Sequence, residues 1–472
     1  PMVVLCQDDL AARRLQEELK GFLSDTAPIL PGRDLTLYDA AVVSRSWEQK
    51  RLRQLYDLAA GKTCLQIMTW ESLSLRTMPK AALLSAAFSL ETSREYAVED
   101  LISRLTAAGY NRCGMVEGPG QFAVRGGILD IFSPAEDQPV RAEFFGDELD
   151  TMGFFDPATQ RRSENITSVT VLPVAETQPG LHPGGVAGLC KDISSLISRQ
   201  KRRKNINEPL IATLEKDLNK YESGLHNPAS DRYMALIYPE MATAADYIPD
   251  GAVVAVCDHG NLQRAARSRC DEMGMQLDSM LQAGLVAGEL CDYVSQWEDF
   301  CKTLRRKTVV YFDAFGGTSY PEDCPPKQLY PLTAKQLPGY GGNLDTAVSD
   351  LSHYQKMEFG SLVLCGTRRR AELLQQLLHE KGLSAFLCIP LTTLPKPGQI
   401  LLTEGTLPFG MEYPLSKLAV LTEGQLIARG EPRRKPAKKT GSTNRQKLNS
   451  FTDLTPGDLV VHENYGIGRF VS

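Results

Sequence analysis

The amino-acid sequence predicts a multi-domain α/β protein. A parallel-sheet domain is interrupted by an inserted α+β domain with an antiparallel sheet, and a further small α/β domain follows. Three observations carry this expectation. The chain has 472 residues, about three domains at roughly 150 residues each. A β-branched apolar run ending in Cys, a short polar turn and a helix-period segment recur at residues 2–19, 252–274 and 360–382. Between the first two recurrences the pattern changes to short alternating runs broken by Gly, as antiparallel strands require.

In chain order, Met2–Cys6 reads as a buried parallel strand, because a continuous apolar run followed by a helix is the mark of a βα unit. Ser44–Ala60 predicts an amphipathic helix with Trp47, Leu52, Leu55, Tyr56 and Ala59 on one stripe and capping-box spacing at Ser46 and Gln49. Thr63–Thr69 is a strand. Glu95–Ala108 is a helix with Val98, Leu101, Ile102 and Leu105 inward, ended by Gly109. Residues 120–172 are read as antiparallel strands, with a bulge or sharp bend at Gly126-Gly127, a turn at Gly146-Asp147, and Ser168–Pro173 closing the block. Residues 180–224 are helical, and the basic run Lys201–Lys204 is a solvated helix face. The second recurrence carries the chain to about Pro331. Gly339, Gly341 and Gly342 link it to the third, where Leu373, Leu374, Leu377 and Leu378 show the helical period.

Arg429–Lys447 holds eight basic residues against Glu431 alone, a flexible basic linker. The −5 net charge of the whole chain is thus +7 here and −12 elsewhere, so nucleic acid is not attracted to the surface as a whole. The last residues, from Leu454 to Phe470, read as strand, Gly-containing turn, strand. Two short strands cannot bury a face, so the chain is expected to be a fragment. Apolar content is about 47% on the usual residue set, a globular value. No apolar run approaches the roughly 18 residues of a membrane span. The eleven cysteines form no CxxC pair and read as small hydrophobes in a reduced cytoplasm.

The chemical motifs are mostly exclusions. Gly61-Lys62-Thr63 is not a phosphate loop. The first Gly of GxxxxGK[ST] would stand at Tyr56, and the helix precedes the strand rather than following it. Asp147-Glu148 and Asp271-Glu272 do not sit at the end of a buried strand, where a magnesium box belongs. No histidine stands at metal-ligand spacing with a cysteine. Asp258-His259 ends the second recurrent strand, where α/β ligands bind. The other two units carry unrelated residues there, so a surface loop is expected. On the strand Val140–Phe145 side chains alternate, placing Val140, Ala142 and Phe144 inward and Arg141, Glu143 and Phe145 outward. Arg125 can join that outward face. An exposed aromatic beside Arg has the composition of a protein-binding hot spot. The structural alternative is an Arg141–Glu143 surface pair beside a half-buried Phe145.

At these residues the sequence resembles a known family. Gly120–Phe132 (GQFAVRGGILDIF), Pro139–Glu148 (PVRAEFFGDE) and Phe155–Arg161 (FDPATQR) are similar to the second domain shared by bacterial transcription-repair-coupling factors and excinuclease B. Pro456–Arg469 (PGDLVVHENYGIGR) resembles the first strands of the RNA-polymerase-interacting module, which the coupling factors carry and excinuclease B lacks. Leu37-Tyr38-Asp39 and Phe409–Pro414 (FGMEYP) extend the likeness along the chain.

The resemblance implies a helicase-like discontinuous α/β domain without an ATP site (1–87 and 179–335) and an inserted domain (88–178) that contacts excinuclease A. It further implies a third α/β domain (340–428), the basic linker (429–452) and the start of the polymerase-interacting module (453–472). It carries partner-binding roles onto Arg125, Arg141 and Phe145, the same three residues that strand alternation selects. It implies no catalytic residue, metal or cofactor in this chain. ATP, magnesium and double-stranded DNA belong to a translocase motor that would follow the polymerase-interacting module. The rival expectation is an excinuclease-B-like DNA-binding ATPase.

Overall fold

The computed structural model describes residues 1–23, 25–39, 46–314, 319–340, 343–426, 459–462 and 466–469. The Gly341-Gly342 link, the basic linker, most of the C-terminal stretch and the side chain of Ser46 lie outside the described residues. The chain divides into two compact units. The first takes in Pro1–Ala12, Pro28–Pro326 and the described residues of 450–472, the second Arg13–Ala27 and the described residues of 327–449. Parallel and antiparallel sheets both occur, so the chain is mixed α/β.

Strands are numbered along the chain. β1 (Met2–Cys6) and β2 (Leu65–Thr69) precede β3 (Phe88–Glu91), β4 (Asn111–Arg112), β5 (Gln121–Arg125) and β6 (Ile128–Ile131). Next come β7 (Val140–Phe145), β8 (Glu148–Phe155), β9 (Arg162–Asn165), β10 (Ser168–Val171), β11 (Val253–Cys257) and β12 (Thr308–Phe312). The second unit holds β13 (Lys335–Gln336), β14 (Gly360–Cys365), β15 (Ala385–Leu387), β16 (Ile400–Glu404), β17 (Met411–Tyr413) and β18 (Leu418–Thr422).

In the first unit β12-β11-β1-β2 form a parallel sheet. Its strands come from either side of residues 88–171 in the sequence. Two of the recurrent βα units therefore share one sheet, with Val3 paired to Val254. The central strands β1 and β11 are apolar and buried on both faces. Leu52, Leu55, Leu58, Trp70, Ile193, Trp297 and Phe300 belong to the core around them. The helix Ser46–Ala59 ends at Gly61, whose φ is +70°, so Gly61-Lys62-Thr63 is the helix-ending turn expected from the order of elements.

Two readings of this unit are corrected. His259 is not in a surface loop. Asp258 caps the helix His259–Gln282 from a left-handed backbone, and His259 behind it is buried. Its Nδ1 lies 2.8 Å from Asp313 and its ring stacks on Tyr320. The basic run is not a helix face, because the helix Gly185–Lys201 stops at its first member. Lys201 pairs with Glu215 and Arg203 with Glu289, exposed contacts of little energetic weight.

The antiparallel part is a six-stranded sheet in the order β4-β5-β6-β7-β8-β9. β4 is parallel to β5 and the other pairs are antiparallel. β10 does not close this sheet; it pairs with β3 in a separate two-stranded ladder. The helix Val98–Ala107 packs Leu101 and Leu105 onto one face, against Phe122, Leu129, Ala142 and Met152, and Gly109 ends it at φ +89°. Of the bulge and the sharp bend expected at Gly126-Gly127, the structure has the bend, a two-residue hairpin turn, since Arg125 pairs directly with Ile128. Gly126 supplies the positive φ that such turns need. The irregularity lies in the next hairpin but one, where Glu143 faces Thr151 and Phe144 faces Leu149, leaving Asp150 as an extra residue on β8.

A buried ionic network fixes the segment that leaves this sheet. The Glu176 carboxylate is fully buried, 2.9 Å from Arg51 and 3.5 Å from Arg33, and accepts from Thr77. Arg33 also pairs with Asp231 at 2.8 Å, which binds Thr177. Each charge is paired, as burial at this depth requires.

The second unit is a six-stranded sheet, β13-β17-β18-β14-β16-β15, parallel over its last four strands. The third recurrent unit supplies its β14 and the helix Arg368–Glu380, whose Ala371, Leu374 and Leu378 are buried. Leu373 is 53% exposed, so only part of the predicted leucine stripe faces the core. At the end of the chain, β19 (Leu459–His462) and β20 (Gly466–Arg469) pair antiparallel. No helix among the described residues is long and apolar enough to cross a membrane.

Candidate protein-docking face

The two faces of the six-stranded sheet differ in kind. One carries the large apolar cluster under the helix Val98–Ala107. The other carries a small cluster of Val116, Ala123, Phe132 and Phe155, followed by charged side chains. Register explains the arrangement. Ala123, Asp130, Arg141 and Gly153 stand opposite one another across β5, β6, β7 and β8. Residues two positions along each strand share that face, which brings Arg125, Glu143 and Phe145 onto it.

Asp130 is the centre. Its carboxylate is fully buried and accepts from Arg141 Nε at 2.7 Å and Nη2 at 2.9 Å, and from Arg125 Nη2 at 2.6 Å. The fork on Arg141 is bidentate, the strong geometry for this pair, and it raises the Arg141 pKa above the ordinary arginine value. Arg141 also donates to the Gln160 carbonyl at 3.3 Å and to its Oε1 at 3.1 Å. Its guanidinium lies 4.5 Å from the centroid of the Phe155 ring, a cation–π contact.

Gln160 is held in place in turn. Asp156 accepts from the backbone N–H groups of Thr159 and Ala158 at 2.7 and 2.9 Å, and the Thr159 bond is foremost in holding the Asp156 carboxyl below the usual carboxylate range. Gln160 sits at φ +59°.

The structure brings all three sequence-predicted residues to one face but gives them different surroundings. Arg141 is only 16% exposed and Arg125 is 47% exposed. Phe145, at the end of β7 beside the Gly146 turn, is 83% exposed. The alternative Arg141–Glu143 pair does not form. Glu143 pairs with Arg162 at 3.2 Å and accepts from Thr151 at 3.1 Å. Sequence reasoning missed Asp130. The available signal was a lone carboxylate in the apolar run Ile128–Phe132, on a strand next to one carrying Arg.

Two guanidinium groups against one carboxylate leave a net charge of +1 beside an exposed aromatic ring. Such a face can anchor a protein partner, with the ring filling an apolar recess and the free charge meeting an acidic group.

Residues 88–176 match the family described as the UvrB interaction domain. The whole chain aligns at 24% identity with the transcription-repair-coupling factor of Bacillus subtilis, covering 40% of that protein. It is 26% identical over 93% of its length to the same protein of Staphylococcus haemolyticus and to that of Staphylococcus aureus, covering 37% of each. The resemblance to bacterial transcription-repair-coupling factors is thus shown over the whole chain, which spans about two fifths of the length of these curated relatives.

Proposed function

We propose that this chain is the recruiting part of a transcription-repair-coupling system and that Arg125, Arg141 and Phe145 form its docking face for excinuclease A. The observation that carries the reading is the 83% exposure of Phe145 on the same sheet face as a preordered arginine pair, within the residues that match the UvrB interaction domain. What marks this ring out is its neighbourhood, because an exposed aromatic beside an ordered arginine has the composition of a binding hot spot.

In this reading residues 88–178 are the docking domain, 1–87 and 179–335 its scaffold, and 340–428 a separate domain. Residues 453–472 open the module that meets RNA polymerase. The chain recruits and does not catalyse. Displacement of stalled RNA polymerase along double-stranded DNA, with ATP and magnesium, falls to a motor outside it. The similarity along the whole length supports the assignment to transcription-coupled nucleotide excision repair.

The test is capture of purified excinuclease A by the wild-type chain and by the Arg125→Ala, Phe145→Ala double variant, which keeps the buried Arg141–Asp130 fork. Loss of capture by a variant that melts like the wild type is expected. Undiminished capture would sink the reading, and ATP turnover by the purified chain would favour the ATPase alternative.

A further inference from the structure

We propose that the docking face has two tiers. Arg125 and Phe145 touch the partner, whereas Asp130 is a positioning residue, clamped by Arg141, that sets the direction of the Arg125 guanidinium. This rests on the docking reading and assigns roles within it.

The account of donors carries the inference. A guanidinium has five N–H groups. On Arg141, Nε and one Nη2 hydrogen go to Asp130, and the other Nη2 hydrogen and one on Nη1 go to Gln160. Phe155 closes one flat side of the group. One donor is left, on a side chain 16% exposed, so Arg141 has little to offer a partner. Arg125 makes a single bond, Nη2 to Asp130, and keeps four N–H groups for a partner on a side chain 47% exposed.

Asp130 therefore binds two cations unequally. The fork of Arg141 engages both of its oxygens, and Arg125 is held by one corner on Oδ2. That corner removes rotamer freedom that binding would otherwise have to remove. The net +1 of the trio emerges at Arg125.

The partner chemistry follows. Register sets Arg125 two strands and two residues from Phe145, about 12 Å between Cα atoms. The matching surface carries a carboxylate at that spacing from an apolar recess.

The experiment uses the purified chain with excinuclease A as probe and two readouts. In the free chain, arginine Nε–H exchange is followed by NMR. Arg141 is expected to exchange slowly in the wild type and quickly in Asp130→Asn. Exchange at the rate of an exposed arginine in the wild type would overturn the proposal, whether or not excinuclease A binds.

In the complex, Asp130→Asn is expected to weaken binding about tenfold, but less than twofold when Arg125→Ala is already present, because a positioning residue acts only through the group it positions. Fully additive losses would overturn the proposal. So would a further tenfold loss when Arg141→Gln is added to Asp130→Asn, since Arg141 would then be touching the partner. Should Asp130→Asn fail to fold, Arg141→Lys replaces it: the charge is kept, the fork is lost, and the same non-additivity with Arg125→Ala is expected. A wild-type chain that does not bind excinuclease A refutes the docking reading, and the exchange rates still decide the positioning role.

Discussion

Truncating Phe145 to Ala should separate recognition from folding. A phenylalanine presents roughly 200 Å², and 83% of this one is exposed in the free chain. About 165 Å² is then available to a partner, an upper limit of about 4 kcal/mol at 25 cal/mol per Å². Alanine keeps part of that area, so the expected loss is about 2–3 kcal/mol, in the range of an aromatic anchor. That is roughly 30- to 150-fold in Kd. The free fold should hardly respond, because the ring covers little: about 0.5 kcal/mol at most, a melting shift of about 1–2 °C. The assay is titration calorimetry with excinuclease A, beside a thermal melt of the free variant. A Kd within threefold of wild type at unchanged melting temperature would refute the argument that this ring is an anchor.

Other outcomes follow from the same structure. Glu176→Gln leaves Arg51 and Arg33 buried with a neutral partner and should cost about 3–5 kcal/mol in urea unfolding. Gly127→Ala would place a Cβ 2.7 Å from the Phe144 carbonyl oxygen, so the β5–β6 hairpin must shift; a loss of about 1–3 kcal/mol is expected by the same measurement. Asp39 is hydrogen-bonded by Lys216 first and Lys220 second, which lowers its pKa to about 2. A depressed carboxylate pKa gives stability that is complete above the ordinary aspartate pKa and disappears as pH falls from about 4 to about 2. Asp39→Asn should flatten that part of the pH–stability curve, and added salt should shrink the difference.

Much of the architecture was legible in local pattern. The three Cys-ended apolar runs are β1, β11 and β14, because a strand buried on both faces has no room for polar alternation. The outward side of β7 was legible for the opposite reason, since one face is wet and the alternation survives. The open and mistaken readings arose where a Gly or a charge has several structural uses. Of the two readings at Gly126-Gly127 the bend holds and the bulge does not, and the difference lies in whether Arg125 pairs with Ile128. Lys201–Lys204 looked helical, but the helix stops at Lys201. His259 looked exposed because its partners, Asp313 and Tyr320, lie more than 50 residues away in the sequence.

The candidate site shows the same division. The residue types Arg125, Arg141 and Phe145 and their common face follow from the sequence alone, because strand period is a local property. Their unequal standing does not. Arg141 is withdrawn and Arg125 half-free because Asp130 comes from the strand between them and Gln160 from a loop beyond β8. Hydrogen-bond partners across a sheet are set by register, which depends on turn type, and only the folded chain decides which guanidinium is spent inside the protein and which is left for a partner.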